Sequence, residues 1–144
     1  MRTLVAQALA TDPVLQSLGL VSSAVYTGDV DTPQERPFVN IKWGVTNAAL
    51  RQTSAANNFF TVWVHDLPND YSRILAILSR VKTVLQAIEA AHWIETSPWD
   101  VNNPSAVSSQ GYVYDCRFQT ESTDLVDEGH GTITRQAVYS IMSN

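Results

Sequence analysis

The chain has 144 residues, 44% of them hydrophobic, and a single cysteine. One domain spanning 1–144 is expected, burying roughly two thirds of the surface its unfolded chain exposes, with no intrachain disulfide and no cysteine-rich zinc module. Charged residues make up only 16% and the formal net charge is −5. That excludes the basic stripe of a nucleic-acid binder; no run of eighteen apolar residues offers a membrane span, and Arg2, Asp12, Pro13 and Gly19 interrupt any secretory leader.

The charge is unevenly spread. Up to Ile94 seven acids balance seven bases, whereas from Glu95 onward seven acids face only Arg117 and Arg135. The low total points to a surface partly covered by other protein.

In chain order, Val5, Leu9, Val14, Leu15 and Leu18 stand at helical spacing, broken at Thr11-Asp12-Pro13. Asp12 before Pro13 reads as an N-cap with proline in the first turn, so a short helix, a break and a second short turn ending at Gly19 are predicted. Val21–Tyr26 follows as a short strand, and 27–37 as a loop punctuated by Gly28 and two prolines. Phe38–Gly44 is a strand with Phe38, Asn40 and Lys42 on one face and Val39, Ile41 and Trp43 on the other. Residues 45–58 keep no period and read as a long hairpin loop or an arm. Phe59–His65, β-branched and aromatic on both faces, predicts a central strand.

Leu67–Asp70 ends that strand, with Asn69 or Asp70 as a helix cap. Ile74, Leu78, Val81, Leu85 and Ile88 then recur at spacings of three and four. They predict the main amphipathic helix from Tyr71 to near Ala91, packed on the sheet face that carries Phe60 or Trp63. Residues 96–111 read as a loop too long for a plain connection. Tyr112–Thr120 alternates strictly, with Tyr112, Tyr114, Cys116 and Phe118 inward, and Ser122–Gly131 reads as a turn or a single helical turn. Thr132–Met142 alternates again, turning Ile133, Ala137, Tyr139 and Ile141 inward. The whole predicts an α+β domain: a mainly antiparallel sheet, one long amphipathic helix packed on a face, and a short N-terminal helix.

No residue set points to catalysis, to a cofactor or to a metal. His65, His92 and His130 lack a second ligand at i+3 or i+4. His65, Asp66 and Asp70 read as a strand end followed by a helix cap. Asp124, Asp127, Glu128 and His130 read as a solvated acidic turn, without the spaced oxygens of a calcium loop. Cys116 lies on the apolar side of its strand, which favours a buried thiol over a nucleophile. No phosphate-cradling glycine loop and no nucleophile elbow is present. Trp99 stands apart: a large ring within a Ser/Asn/Pro segment either folds back on the domain or docks a partner.

Three stretches carry a family resemblance: RPFVNIKWG from Arg36, FTVWVHDLPNDYSRILAILSRVKTVL from Phe60, and STDLVDEGHGTITRQAVYSI from Ser122. Together, and in this order, they resemble the tail terminator (tail completion) proteins of long, flexible-tailed actinobacterial phages. In that family a TVWVHD strand runs into P-x-DYSRI, and a closing S-x-DL-x-D-x-G-x-x-TITR segment leads the last strand. The resemblance implies a structural, non-catalytic virion protein of the tail or neck, assembled in the host cytoplasm. Such a protein would form a homo-hexameric ring on the head-proximal end of the tail tube, stop tube polymerisation and meet a head-side connector or stopper protein. A head–tail adaptor or stopper is the alternative. The genome would pass through the ring without sequence-specific binding.

Segments 45–58 and 96–111 are then expected to carry inter-subunit or tube contacts, through Arg51, Asn57 and Asn58 in the first and Trp99, Asn102 and Asn103 in the second. The acidic group Asp124, Asp127 and Glu128 is expected at the lumen or an exposed rim, where water and salt screen its repulsion.

Overall fold

The apolar spacing at the N-terminus folds as two short helices. α1 (Arg2–Ala10) buries Val5 and Leu9, and α2 (Pro13–Ser17) buries Leu15. The Asp12 carboxylate accepts from the Leu15 backbone N–H at 2.9 Å, satisfying a donor that no helical carbonyl reaches. Pro13 stands in the first turn, where its missing N–H costs nothing. The turn ends at Gly19, whose φ of 97° is a left-handed conformation that other residues resist. The computed structural model describes residues 2–28, 35–48, 56–68, 71–89, 92–96 and 108–143.

Seven strands are found among the described residues: β1 (Val25–Thr27), β2 (Phe38–Ala48), β3 (Ala56–Asp66), β4 (His92–Thr96), β5 (Ser108–Glu121), β6 (Leu125–Asp127) and β7 (Thr132–Ser143). They form one sheet in the order β1-β2-β3-β7-β5-β4, with β6 on β7 beyond the end of β5. The pairings are antiparallel apart from β1 with β2. β3 is central, as its two-faced apolar run predicts. The long helix α3 (Ser72–Ala87) buries Ile74, Ile77, Leu78, Val81 and Leu85. It packs on the face carrying Phe60, Val62 and Val64; Trp63 alternates to the other face, so of the two predicted partners Phe60 is the correct one.

Across that helix-covered face runs an aromatic row set by register: Trp43 opposite Phe60, Phe60 opposite Tyr139, Tyr139 opposite Phe118. Their ring centroids lie 4.8, 5.5 and 5.8 Å apart. Neighbouring rings across strands stabilise a sheet beyond the area they bury. Arg2 lies 5.3 Å over the Trp43 ring and Lys82 4.4 Å over Phe118, so a cation closes each end of the row.

Several elements differ from the sequence reading. Val21–Tyr26 is a 3-10 turn (Ser22–Ala24) leading into β1. Within the segment read as loop or arm, 45–58, the described residues are ladder: β2 continues to Ala48 and β3 starts at Ala56, with Asn47 opposite Asn57. Likewise the predicted loop 96–111 contains the last residue of β4 and the first residues of β5, Thr96 opposite Ser108. Polar strands without alternation give no local signal, because backbone hydrogen bonds to a neighbour hold them. β6 lies within the predicted turn 122–131.

Strict alternation also fails in β5. An extra residue at Tyr114 shifts the register, so Val113 and Cys116 both point inward while Tyr114 is exposed. The helix ends at Ala87, short of Ala91, and its N-cap position is Tyr71, without a side-chain cap bond. The predicted caps Asn69 and Asp70 lie outside the described residues.

Candidate functional site

The two ends of the sheet differ in chemistry. One end carries the start of β2, the finish of β3, β6 and the start of β7. The other carries the paired arms β2–β3 and β4–β5.

At the first end, side chains from four separate stretches converge. The His65 ring stacks on Phe38, with centroids 4.4 Å apart and planes 5° from parallel. His130 stands edge-on to both, at 5.5 and 5.6 Å. His65 Nδ1 lies 2.9 Å from Thr132 Oγ1 and 3.7 Å from an Asp127 carboxylate oxygen. That carboxylate accepts from the His130 backbone N–H at 3.2 Å. Arg36 covers Phe38 at 5.0 Å and donates to the His130 carbonyl at 3.3 Å. Burial pushes the pKa of His65 down to about 4; Asp127 opposes this, and His130, Arg36 and Lys42 add to it. At neutral pH the ring is therefore uncharged, bonded to a hydroxyl and packed flat against a phenyl. A general base must reach a substrate proton; this imidazole is 5% exposed and turned into packing.

Cys116 is similarly closed. Burial pushes its thiol up to about 12, with Asp115 and Glu89 adding to the effect, so the nucleophilic thiolate is disfavoured. Among the described residues no group of three or more His, Cys, Asp or Glu side chains is arranged to hold a metal ion.

The acidic residues singled out in the sequence are divided by the fold. Asp124 and Glu121 lie 3.5 and 3.9 Å from Arg135, whose guanidinium also donates to the Ser122 carbonyl at 3.1 and 2.8 Å. Asp127 turns to the histidine pair, and Glu128 is exposed. The turn is thus strapped to β7 and partly neutralised, while Asp124 and Glu128 stay exposed to solvent. Tyr71 ties it to α3 by donating to the Leu125 carbonyl at 2.7 Å. Asp66 anchors the start of α3: it accepts from Arg73 Nε at 2.6 Å and from the Leu67 N–H at 2.7 Å. His65 and Asp66, adjacent in sequence, act on opposite faces of the sheet.

Of the predicted contact residues, Asn57 and Asn58 lie in β3 opposite Asn47 and Thr46, and Asn58 is half-buried. They stand about 30 Å along the strand from Asp66, so the structure does not bring them near the acidic turn. Arg51, Trp99, Asn102 and Asn103 lie outside the described residues. A feature the sequence did not reveal is a cavity of about 550 Å³ beside the end of β1, lined by Arg2, Gly28, Lys42 and Trp43 among others. It lies where α1, the end of β1 and the middle of β2 meet, a junction that only tertiary contact sets.

No protein-family model matches the chain, and no curated protein does. Among solved structures, the chain is similar to one in "Virion of native gene transfer agent (GTA) particle", with a TM-score of 0.64 and 20% identity, over 96% of this chain and 90% of that one. At that identity the likeness is one of fold. The fold is shared over nearly the whole of both chains.

Proposed function

We propose that this protein is a non-catalytic virion component. It caps the head-proximal end of a phage tail tube as a homo-hexameric ring, stops tube polymerisation and forms the joint to the head-side connector. The observation that carries the reading is the near full-length fold likeness to a chain of a gene transfer agent virion. The terminator-like segments, which include the β3–α3 junction and the β6–β7 segment, sharpen it. The site chemistry agrees: His65 and Cys116, the two groups closest to a catalytic type, are packed away from solvent. The long paired arms offer main-chain surface for tube and subunit contacts, and the genome passes the ring without base-specific contacts.

Electron microscopy of particles from which this chain is deleted tests the assignment. Loss of a terminator gives tails of excessive or undefined length. Tails of normal length beside leaking heads would instead assign the head–tail adaptor or stopper role.

A further inference from the structure

Beside α3 the sheet holds a socket. A cavity of about 280 Å³ lies between the helix and the strands β5 and β7, walled by Leu75, Leu78, Phe118 and Ala137 with Tyr139. Leu75 is 43% exposed and stands at the mouth; Tyr139 is 1% exposed and forms the floor. The Tyr139 hydroxyl is buried and has no hydrogen-bond partner among the described residues. Burial pushes its pKa up, with Cys116 and Glu121 adding to the effect, so it stays a neutral donor. A buried hydroxyl left unbonded destabilises a fold, and phenylalanine would fill the same place without that penalty. Lys82 on the helix and Glu121 on β5 also line the cavity, so its rim carries one charge of each sign.

The other face of the same strand carries a matching knob. Strict alternation would bury Tyr114, but the bulge in β5 turns it out, 47% exposed, with its ring 5.0 Å edge-on to that of Tyr112. Bulges re-aim side chains. Tyr112 precedes the buried Val113 and so faces away from α3. Asp115 and Arg117 face away too: they stand opposite Met142 and Ser140, which alternate with Tyr139 and Ile141. They form an ion pair at 2.5 Å beside the tyrosine.

We infer that Tyr114 of one copy seats in the α3–β5 cavity of a neighbouring copy and that its hydroxyl bonds to that copy's Tyr139. The inference rests on the ring reading above and supplies its joint. The cavity has room for one aromatic ring, with apolar walls for the ring and a polar floor for its tip. Tyrosine combines the two, which makes it a common anchor in interface pockets. Charge agrees as well. An acid and a base flank the knob, a base and an acid flank the socket, and a neutral ring enters between them. Copies of net charge −5 otherwise repel, so a locally balanced contact is where they can approach. Knob and socket look to opposite sides of one sheet, so two copies cannot exchange both at once. The contact is therefore heterologous, the type that closes into rings of more than two copies when each step turns.

Removing the two hydroxyls tests the pair directly. Tyr139→Phe should melt at the wild-type temperature or above it by circular dichroism. With tube protein present it should nevertheless weaken assembly by about fivefold to tenfold, the worth of one hydrogen bond. Tyr114→Phe should weaken it equally, and the double variant no further, because both remove the same bond. Tyr114→Ala, at an exposed position, should keep the fold and lose assembly. Tyr114→Cys combined with Ser79→Cys, an exposed serine of the socket wall, should give a covalent ladder past the dimer on mild oxidation. Neither single variant should do so. A ladder that stops at two copies overturns the head-to-tail joint. An earlier melt of Tyr139→Phe would mean its hydroxyl is bonded inside the chain, and losses that multiply in the double variant would mean two unrelated sites; either overturns the pair. Rings that form unchanged with Tyr114→Ala overturn the joint and leave the ring reading standing. No assembly of the wild-type chain in the presence of tube protein overturns both.

Discussion

The two ends of the sheet are built on opposite principles. At the β6–β7 end, polar groups are consumed within the chain: His65 on Thr132, Asp66 on Arg73, Arg135 on Ser122, Asp124 and Glu121, and Tyr71 on Leu125. At the arm end, the strands run on as ladders whose outer edges find no strand among the described residues. If the open edges are the assembly surface, such a fold separates stability from assembly. Changes at the first end should alter unfolding free energy, and changes at the second should alter association.

The largest expected effect removes both ends together. Leu78 is 2% exposed in the stripe of α3, and Leu78→Asp places an unpaired charge there, costing roughly 4 kcal/mol or more. Thermal melts by circular dichroism should show an unfolded chain. A folded variant that merely fails to assemble would move the stripe from core to interface.

Acid should strike next, and at the closed end. His65 titrates near 4 in the fold and near 6.5 in the unfolded chain. As pH falls from 6.5 toward 4, the unfolded state takes up the proton first, so folded stability declines through that window by about 3 kcal/mol and is regained as pH rises. Denaturant titrations across it should show this slope, and His65→Asn should flatten it. An equal slope in the variant would place the sensitivity elsewhere.

Asp66→Ala leaves the Leu67 N–H without its carboxylate acceptor and removes the Arg73 ion pair, whose guanidinium is partly exposed; about 2 kcal/mol of stability should go. At the arm end, residues 97–107, which join β4 to β5, can be replaced by a four-residue turn, with thermal melts by circular dichroism confirming folding. Tail completion should nevertheless be lost. Intact completion would remove Trp99, Asn102 and Asn103 from the contact set.

The smallest effect is reserved for Glu128, the exposed member of the acidic group. Glu128→Lys should alter stability by less than about 0.5 kcal/mol. If the turn faces the lumen, it should slow DNA ejection while rings assemble normally. Unchanged ejection would put the turn on the outside.

Much of the architecture was legible because it is local. The Asp12-Pro13 cap, the α3 stripe, the central β3 and the inward residues of β7 follow from spacings that one helix or strand enforces on itself. The buried Cys116 followed from its strand neighbours in the same way. The histidine cluster was not legible. His65 and His130 belong to separate stretches, each with a plain local reading, and only the β3–β7 ladder brings His65 beside Thr132, next to the turn that holds His130.

The sequence by itself determined where apolar faces repeat, where α2 is capped and that the cores of β2, β3, β5 and β7 are strands. Tertiary structure alone decided that the unpatterned segments around Asn47, Asn57, Thr96 and Ser108 are ladders, that Tyr114 turns outward, and that the acid-rich turn meets Arg135 and His65. Hydrophobic period is written residue by residue. Strand pairing, bulges and charge partners depend on a neighbour that the chain supplies from far away, and no local spacing records which neighbour that is.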